Sequence, residues 1–139
     1  MTVENAKRIL IDTNFLLIPG QFGVDIFSEF ERVCSFSYDL AVLDASVAEL
    51  ERLAVDSATS LKDRRAAKMA LQLIKAKGVA VVKSDRKVFK STDKAIQDFA
   101  SASNKGVIVA TQDRELKRQL KLKGVRVAVL RQKRYVMLY

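Results

Sequence analysis

The 139-residue chain contains no histidine, no tryptophan, one cysteine and one proline. Without histidine there is no imidazole base, no Ser-His-Asp triad and no His-ligated metal. Cys34 alone makes neither an internal disulfide nor a Cys-rich zinc site. It falls in an apolar helical pattern with Phe27 and Phe30, which predicts a buried structural thiol. No apolar run approaches the roughly 18 residues of a membrane span, and no signal-peptide pattern opens the chain. The expectation is a soluble, cytoplasmic protein without a membrane partner.

What remains is globular: 49% of residues are hydrophobic and 29% charged. The length fits one domain over residues 1–139, with no repeat, Pro-rich linker or low-complexity segment. The net charge of +9 is uneven. Residues 1–61 hold 4 Lys/Arg against 10 Asp/Glu, a balance of −6, and residues 62–139 hold 21 against 6, a balance of +15. Such asymmetry points to a polyanionic partner such as nucleic acid, against the plainer reading of solvated helix faces. The candidates for contact with it are in the basic 83–90 loop, with Arg86 and Lys87, in 114–123, with Arg114, Lys117 and Arg118, and in 131–134.

Short β-branched runs alternate with helical patterns. Strands are predicted at Ile9–Ile11, Leu40–Leu43, Val79–Val82, Val107–Ala110 and Val125–Leu130. Phe22, Ile26, Phe27, Phe30 and Val33 recur at helical spacing between the first two strands. Val47, Leu50, Leu53 and Ala54 follow the second, and a further helix runs from about Leu61 to Ala76, capped by Gly78. Ala95, Ile96, Phe99 and Ala100 mark a helix closed near Gly106, and Leu116 and Leu120 mark one ending at Gly124. This rhythm predicts a three-layer α/β domain with a mainly parallel five-stranded sheet. Burial on both faces explains the unbroken ILI and VIVA runs.

Ligands of open parallel sheets gather outside the carboxyl ends of the strands. Strand one delivers Asp12, Thr13 and Asn14 to that edge. Strand two delivers Asp44, with Glu49 in the following helix. Strand four, in VIVATQDREL, delivers Thr111 and Asp113, and Asp93 opens the helix in STDKAIQDFA. Each acid also has a local reading. Asp12 suits a turn, Ser46 and Glu49 fit a capping box, Asp93 complements a helix capped by Ser91 or Thr92, and Asp113 opens a helix. Four acids from four distant segments at one edge favour a site. Crowded carboxylates without Lys or His call for a cation, and oxygen-only donors select Mg2+ or Mn2+. Such an ion supports in-line phosphodiester cleavage in a histidine-free chain.

ILIDTN, the Glu of VAELERL, the Asp of TDKAIQDFA and VIVATQDREL together resemble a PIN domain over residues 8–130. The resemblance implies a three-layer α/β/α nuclease, in most members a metal-dependent endoribonuclease, with strand order 3-2-1-4-5. It assigns the Mg2+- or Mn2+-binding acids to Asp12, Glu49, Asp93 and Asp113, and supporting roles to Thr111 and nearby Asn14. Asp98, five residues after Asp93 on the same helix, faces elsewhere. Within the family, DTNFLL, ATQDRELKRQLK and the tail RQKRYVMLY look more like the nucleases that process small-subunit rRNA than like the toxin RNases, which a partner peptide holds silent. The expected substrate is structured or ribosomal RNA. An inhibitory or assembly protein and a homodimer are the protein partners considered, and the apolar tail YVMLY is either an edge strand or the dimer contact. The competing reading is a non-catalytic RNA-binding or ribosome-assembly protein. A DxD phosphatase is opposed by Asn14 at the second acidic position, a receiver domain by the absence of an acid beside Asp12, and a nucleotide-binding domain by the absence of a Gly-rich phosphate loop.

Overall fold

The structure, a computed structural model, describes residues 7–84, 91–102 and 106–139. Arg86 and Lys87, named above for nucleic-acid contact, lie outside the described residues. β1 (Lys7–Ile11) leads into α1 (Thr13–Leu16), α2 (Ile18–Phe22) and α3 (Ile26–Val33). β2 (Tyr38–Leu43), α4 (Asp44–Val55), α5 (Leu61–Ala76), β3 (Ala80–Val82) and α6 (Thr92–Ala102) follow. β4 (Val107–Ala110), α7 (Arg114–Leu122), β5 (Arg126–Arg131) and β6 (Tyr135–Leu138) complete the chain.

The sheet order is β3-β2-β1-β4-β5-β6. The first five strands are mutually parallel, in the predicted order, and β6 runs antiparallel to β5. The sheet therefore has six strands, not five, because the apolar tail folds back as an edge strand. Val107–Ala110 is buried throughout, as expected of a strand covered on both faces. Alternation divides the core: Ile9 and Ile11 face Phe15, Phe30, Val42 and Ala66, while Leu10 faces Ile96, Leu116 and Leu120 on the other side.

The single helix expected between β1 and β2 is three. Pro19 occupies the first turn of α2, where its missing N–H costs no hydrogen bond, and Gly23 ends α2 in the left-handed region at φ +68°. Phe22 is consequently 40% exposed instead of joining the core. Cys34 caps the C-terminus of α3 and is half-buried, with burial pushing its thiol pKa up, so the expectation of a fully buried thiol is corrected.

Edge strand β6 has a side-chain cover. Val136 N–H donates to Glu29 Oε1 (2.8 Å), and Arg32 donates to the Val136 carbonyl (2.8 Å). Arg32 and Glu29 are themselves paired at 2.9 Å. The ion pair on α3 thus takes the place of a further strand at that point.

Candidate active site

Asp12 directly follows β1 and caps α1. Its amide donates to the Ala110 carbonyl (2.9 Å), locking the end of β1 to the end of β4. Its carboxylate is 5% exposed, with Oδ1 accepting from the Thr13 amide (2.8 Å) and Oδ2 from the Thr111 hydroxyl (2.7 Å). Burial raises the Asp12 pKa to about 6. The two hydrogen bonds oppose that rise, and the charges of Asp93 and Glu49 add to it.

Thr111, fully buried at the end of β4, also accepts from the Asp113 amide (3.1 Å), so one hydroxyl bridges the strand-one and strand-four acids. Asp113 caps α7, its Oδ1 accepting from the Leu116 amide at 2.9 Å. The expected local role is therefore real, and it occupies one of the two carboxylate oxygens. Glu49 is different. α4 begins at Asp44 after an N-cap, Leu43, that makes no side-chain cap bond, which places Ser46 inside the helix, buried and without a partner. The capping-box reading of Glu49 fails for that reason. On α6 the Ser91 hydroxyl accepts from the Lys94 amide (3.3 Å), leaving Asp93 without a capping duty. Burial raises the Asp93 pKa as well, followed by the charges of Asp113 and Glu49.

All four acids line one cavity of about 280 Å³, together with Thr13, Asn14, Leu17, Leu53 and Thr92. Asn14 Oδ1 accepts from the Gln112 amide (3.1 Å), fastening α1 to the loop after β4. Thr13 is buried in the cavity wall with its hydroxyl unpartnered. Asp98 is exposed and does not line the cavity. Asp44 turns away to hold the Ala45 and Ser84 amides and the Ser84 hydroxyl. Among the described residues, no group of three acidic or cysteine side chains is arranged to hold a metal ion. The donor chemistry is nevertheless that of a hard-cation site, because every acid in the cavity offers oxygen alone.

Gln112 escaped the sequence reading. Its side-chain oxygen accepts from the Leu130 amide (2.7 Å) and its nitrogen donates to the Leu130 carbonyl (3.4 Å). β4 stops at Ala110, and this amide continues its pairing with β5 for one further step. An amide two residues past a strand end is the available signal.

On α7, Arg118 is paired with Glu115 at 2.6 Å, which holds the Glu115 carboxyl well below its usual range. Lys117 faces other cations. Its pKa is lowered first by burial and then by Lys121, Arg131 and Arg114. Arg114 is exposed at the start of α7, next to Asp113.

A parallel α/β/α sheet with an acidic cavity at its carboxyl edge defines the chain as an α/β domain whose ligand seat lies at the strand ends. A family model described as "PIN like domain" matches residues 9–133, and the chain belongs to that family. It is 33% identical over 128 residues to "Ribonuclease VapC4" of Methanocaldococcus jannaschii, covering 92% of this chain and 93% of that protein. The PIN domain endonuclease Utp24 superposes with a TM-score of 0.75 at 21% identity, covering 94% of this chain and 90% of that one. A domain of a functionally unknown M. jannaschii protein superposes with a TM-score of 0.57 at 17% identity, over 90% of this chain and 91% of that one. At these identities the two structural likenesses establish the fold alone.

Proposed function

We propose that this PIN-domain chain is a divalent-metal-dependent endoribonuclease. The observation that carries the reading is the convergence of Asp12, Glu49, Asp93 and Asp113, from four separate segments, on one cavity in a chain without histidine. The ribonuclease name of the 33%-identical relative supports RNA as substrate. Asp12, Glu49, Asp93 and Asp113 would hold Mg2+ or Mn2+. Glu49 and Asp93 are part-buried and carry no capping duty, which leaves them free to close on an ion, whereas Asp12 is held by Thr111 and Asp113 keeps one oxygen beyond its cap to α7. When bound, such an ion offsets the charge that builds on the phosphate and favours ionisation of an attacking water.

The chain's own residues orient the reaction. Thr111 holds the Asp12 carboxylate and the Asp113 backbone in register, and Asn14 and Gln112 keep the loops around them together. Leu17 and Leu53 form the apolar part of the wall, restricting water on that side. In hydrolysis, water oxygen bonds to phosphorus, one P–O ester bond breaks, and the departing oxygen takes up a proton. Among the described basic residues, Arg114 and Lys117 are best placed beside Asp113 to receive the RNA backbone, whereas Arg118 is committed to Glu115.

The DTNFLL and ATQDRELKRQLK stretches favour processing of ribosomal RNA over a toxin role. The test is Mn2+-dependent cleavage of a structured rRNA fragment by the wild type and by Asp12→Asn. Loss of roughly a hundredfold or more in the variant supports the reading; equal cleavage refutes it. One observation favours a second reading, a non-catalytic RNA-binding protein: the carboxylates are not arranged around an ion. Tight RNA binding with no Mn2+ uptake and no cleavage would select it.

A further inference from the structure

Gln97 is buried on α6, 8% exposed, although it does not line the acidic cavity. A buried carboxamide is costly unless both of its ends are bonded. Both are: Gln97 Oε1 accepts from Lys123 Nζ (2.9 Å), and Gln97 Nε2 donates to Gln119 Oε1 (2.6 Å). Gln119 Nε2 in turn donates to Glu115 Oε1 (2.9 Å), which also accepts from Arg118 Nη2. An ammonium only donates and a carboxylate only accepts, so the two ends fix the orientation of both carboxamides between them. Lys123, Gln97, Gln119 and Glu115 thus form one polarised chain of hydrogen bonds, into which α6 inserts a single side chain.

The chain lies next to the site on both helices. Gln97 stands four residues after Asp93, one turn along the same side of α6. Glu115 stands two residues after Asp113, the N-cap of α7. The rest of the buried face of α6 is apolar: Ala95, Ile96 and Ala100 share one cluster with Leu116 and Leu120 of α7. Apolar contact is non-directional, and two alanines offer little to interlock. That packing therefore holds α6 down without fixing how far along α7 it sits. Electrostatics works against the fit. Asp93 and Asp113, which open the two helices, share the cavity and repel each other. A directional bond between the helices resists that displacement.

We propose that Gln97 is a positioning residue: its carboxamide, held between Gln119 and Lys123, sets the register of α6 against α7 and with it the spacing of Asp93 from Asp113. A lone polar residue in an apolar helix contact chooses one register among several, which an aliphatic side chain of the same size does not. The consequence is that a cation entering the cavity meets these two carboxylates already spaced. That consequence rests on the reading of the cavity as a Mg2+ or Mn2+ site, whereas the register itself does not.

The register is read in metal-free protein by pulsed electron spin resonance. Spin labels go on Asp98→Cys and Leu122→Cys, both exposed, in a Cys34→Ser background. With Gln97 present the distance distribution should be narrow, and with Gln97→Ala broadened or displaced. Gln97→Glu, which still accepts from Lys123 and from a turned Gln119 amide, should make it narrow again. Mn2+ affinity, measured by calorimetry, should fall about tenfold or more in Gln97→Ala and recover in Gln97→Glu. Gln119→Ala breaks the same chain from α7 and should match that loss, and the double variant should lose no more than either single one. Phe99→Leu, a packing change on the same helix, should lower thermal stability without moving the affinity. A folded Gln97→Ala that keeps the wild-type distribution or the wild-type Mn2+ affinity overturns the proposal, as does a double variant whose losses add. If Gln97→Ala does not fold, Gln119→Ala decides by the same two measurements. If the distribution responds to Gln97→Ala but the wild type takes up no Mn2+, the register stands and the metal-dependent nuclease reading falls.

Discussion

Asp12 is the residue on which the site turns, and its surroundings make it titrate unusually. Its pKa moves from 3.8 to about 6 on folding, chiefly through burial. A folded-state pKa above the unfolded value means that the folded protein binds the proton more tightly. Stability from this group is therefore fully present below about pH 4 and is lost as pH rises through about 6, on the order of 3 kcal/mol in all. In EDTA, thermal denaturation should show the wild type less stable at pH 7.5 than at pH 5, and Asp12→Asn should reduce that decline, leaving the smaller part that the raised pKa of Asp93 contributes. An unchanged pH dependence in the variant would show that the buried charge is not Asp12. Thr111→Val removes the hydroxyl that serves Asp12 and the Asp113 amide together. It should lower cleavage about 10–100-fold and destabilise the fold by about 1–3 kcal/mol, as read by kinetics and denaturant titration. Asp12, Asn14, Thr111 and Asp113 were legible because they follow apolar runs that end abruptly. Thr13 was placed at the edge but without a role, because its orphaned hydroxyl depends on the packing around it, and Gln112 was not legible, since it acts on Leu130, 18 positions away, through a partner no local pattern announces.

At the scale of elements, the strands were legible because burial on both faces leaves continuous apolar runs. The segment after β1 was not, since Pro19 beside Gly20 reads as loop yet opens α2, and Gly23 cuts Phe22 off from the helical pattern that continues in α3. That cutting carries α2 onto α5. Gly20→Ala would drive a methyl against the Ala66 backbone, separate the two helices and cost about 1–3 kcal/mol in a denaturant titration. Strand β6 was legible only as one of two readings of the apolar tail, an edge strand or a dimer contact, for a different reason. Its exposed edge is satisfied by Glu29 and Arg32, more than 100 positions earlier, and no window of sequence joins the two. Replacing both by alanine should leave the Val136 amide and carbonyl open to another chain. Sedimentation at rising concentration should then reveal stronger self-association than in the wild type, and equal behaviour would deny the cover its role.

For the whole molecule, the charge division along the sequence acquires a spatial meaning. The acids of the cavity come from both halves, Asp12 and Glu49 from the acidic one and Asp93 and Asp113 from the basic one. Arg114 and Lys117, at the start of α7, directly follow Asp113. An anionic strand would be drawn by the second group towards the first, where only a cation makes its approach favourable. The account therefore stands or falls on coupled metal and RNA chemistry at one cavity. The most direct measurement is Mn2+ binding by calorimetry, with cleavage of the same RNA followed in parallel, for the wild type and Asp12→Asn. The account predicts Mn2+ uptake and cleavage by the wild type, with both lost in a variant that remains folded. Mn2+ binding and cleavage that survive the substitution unchanged would contradict it.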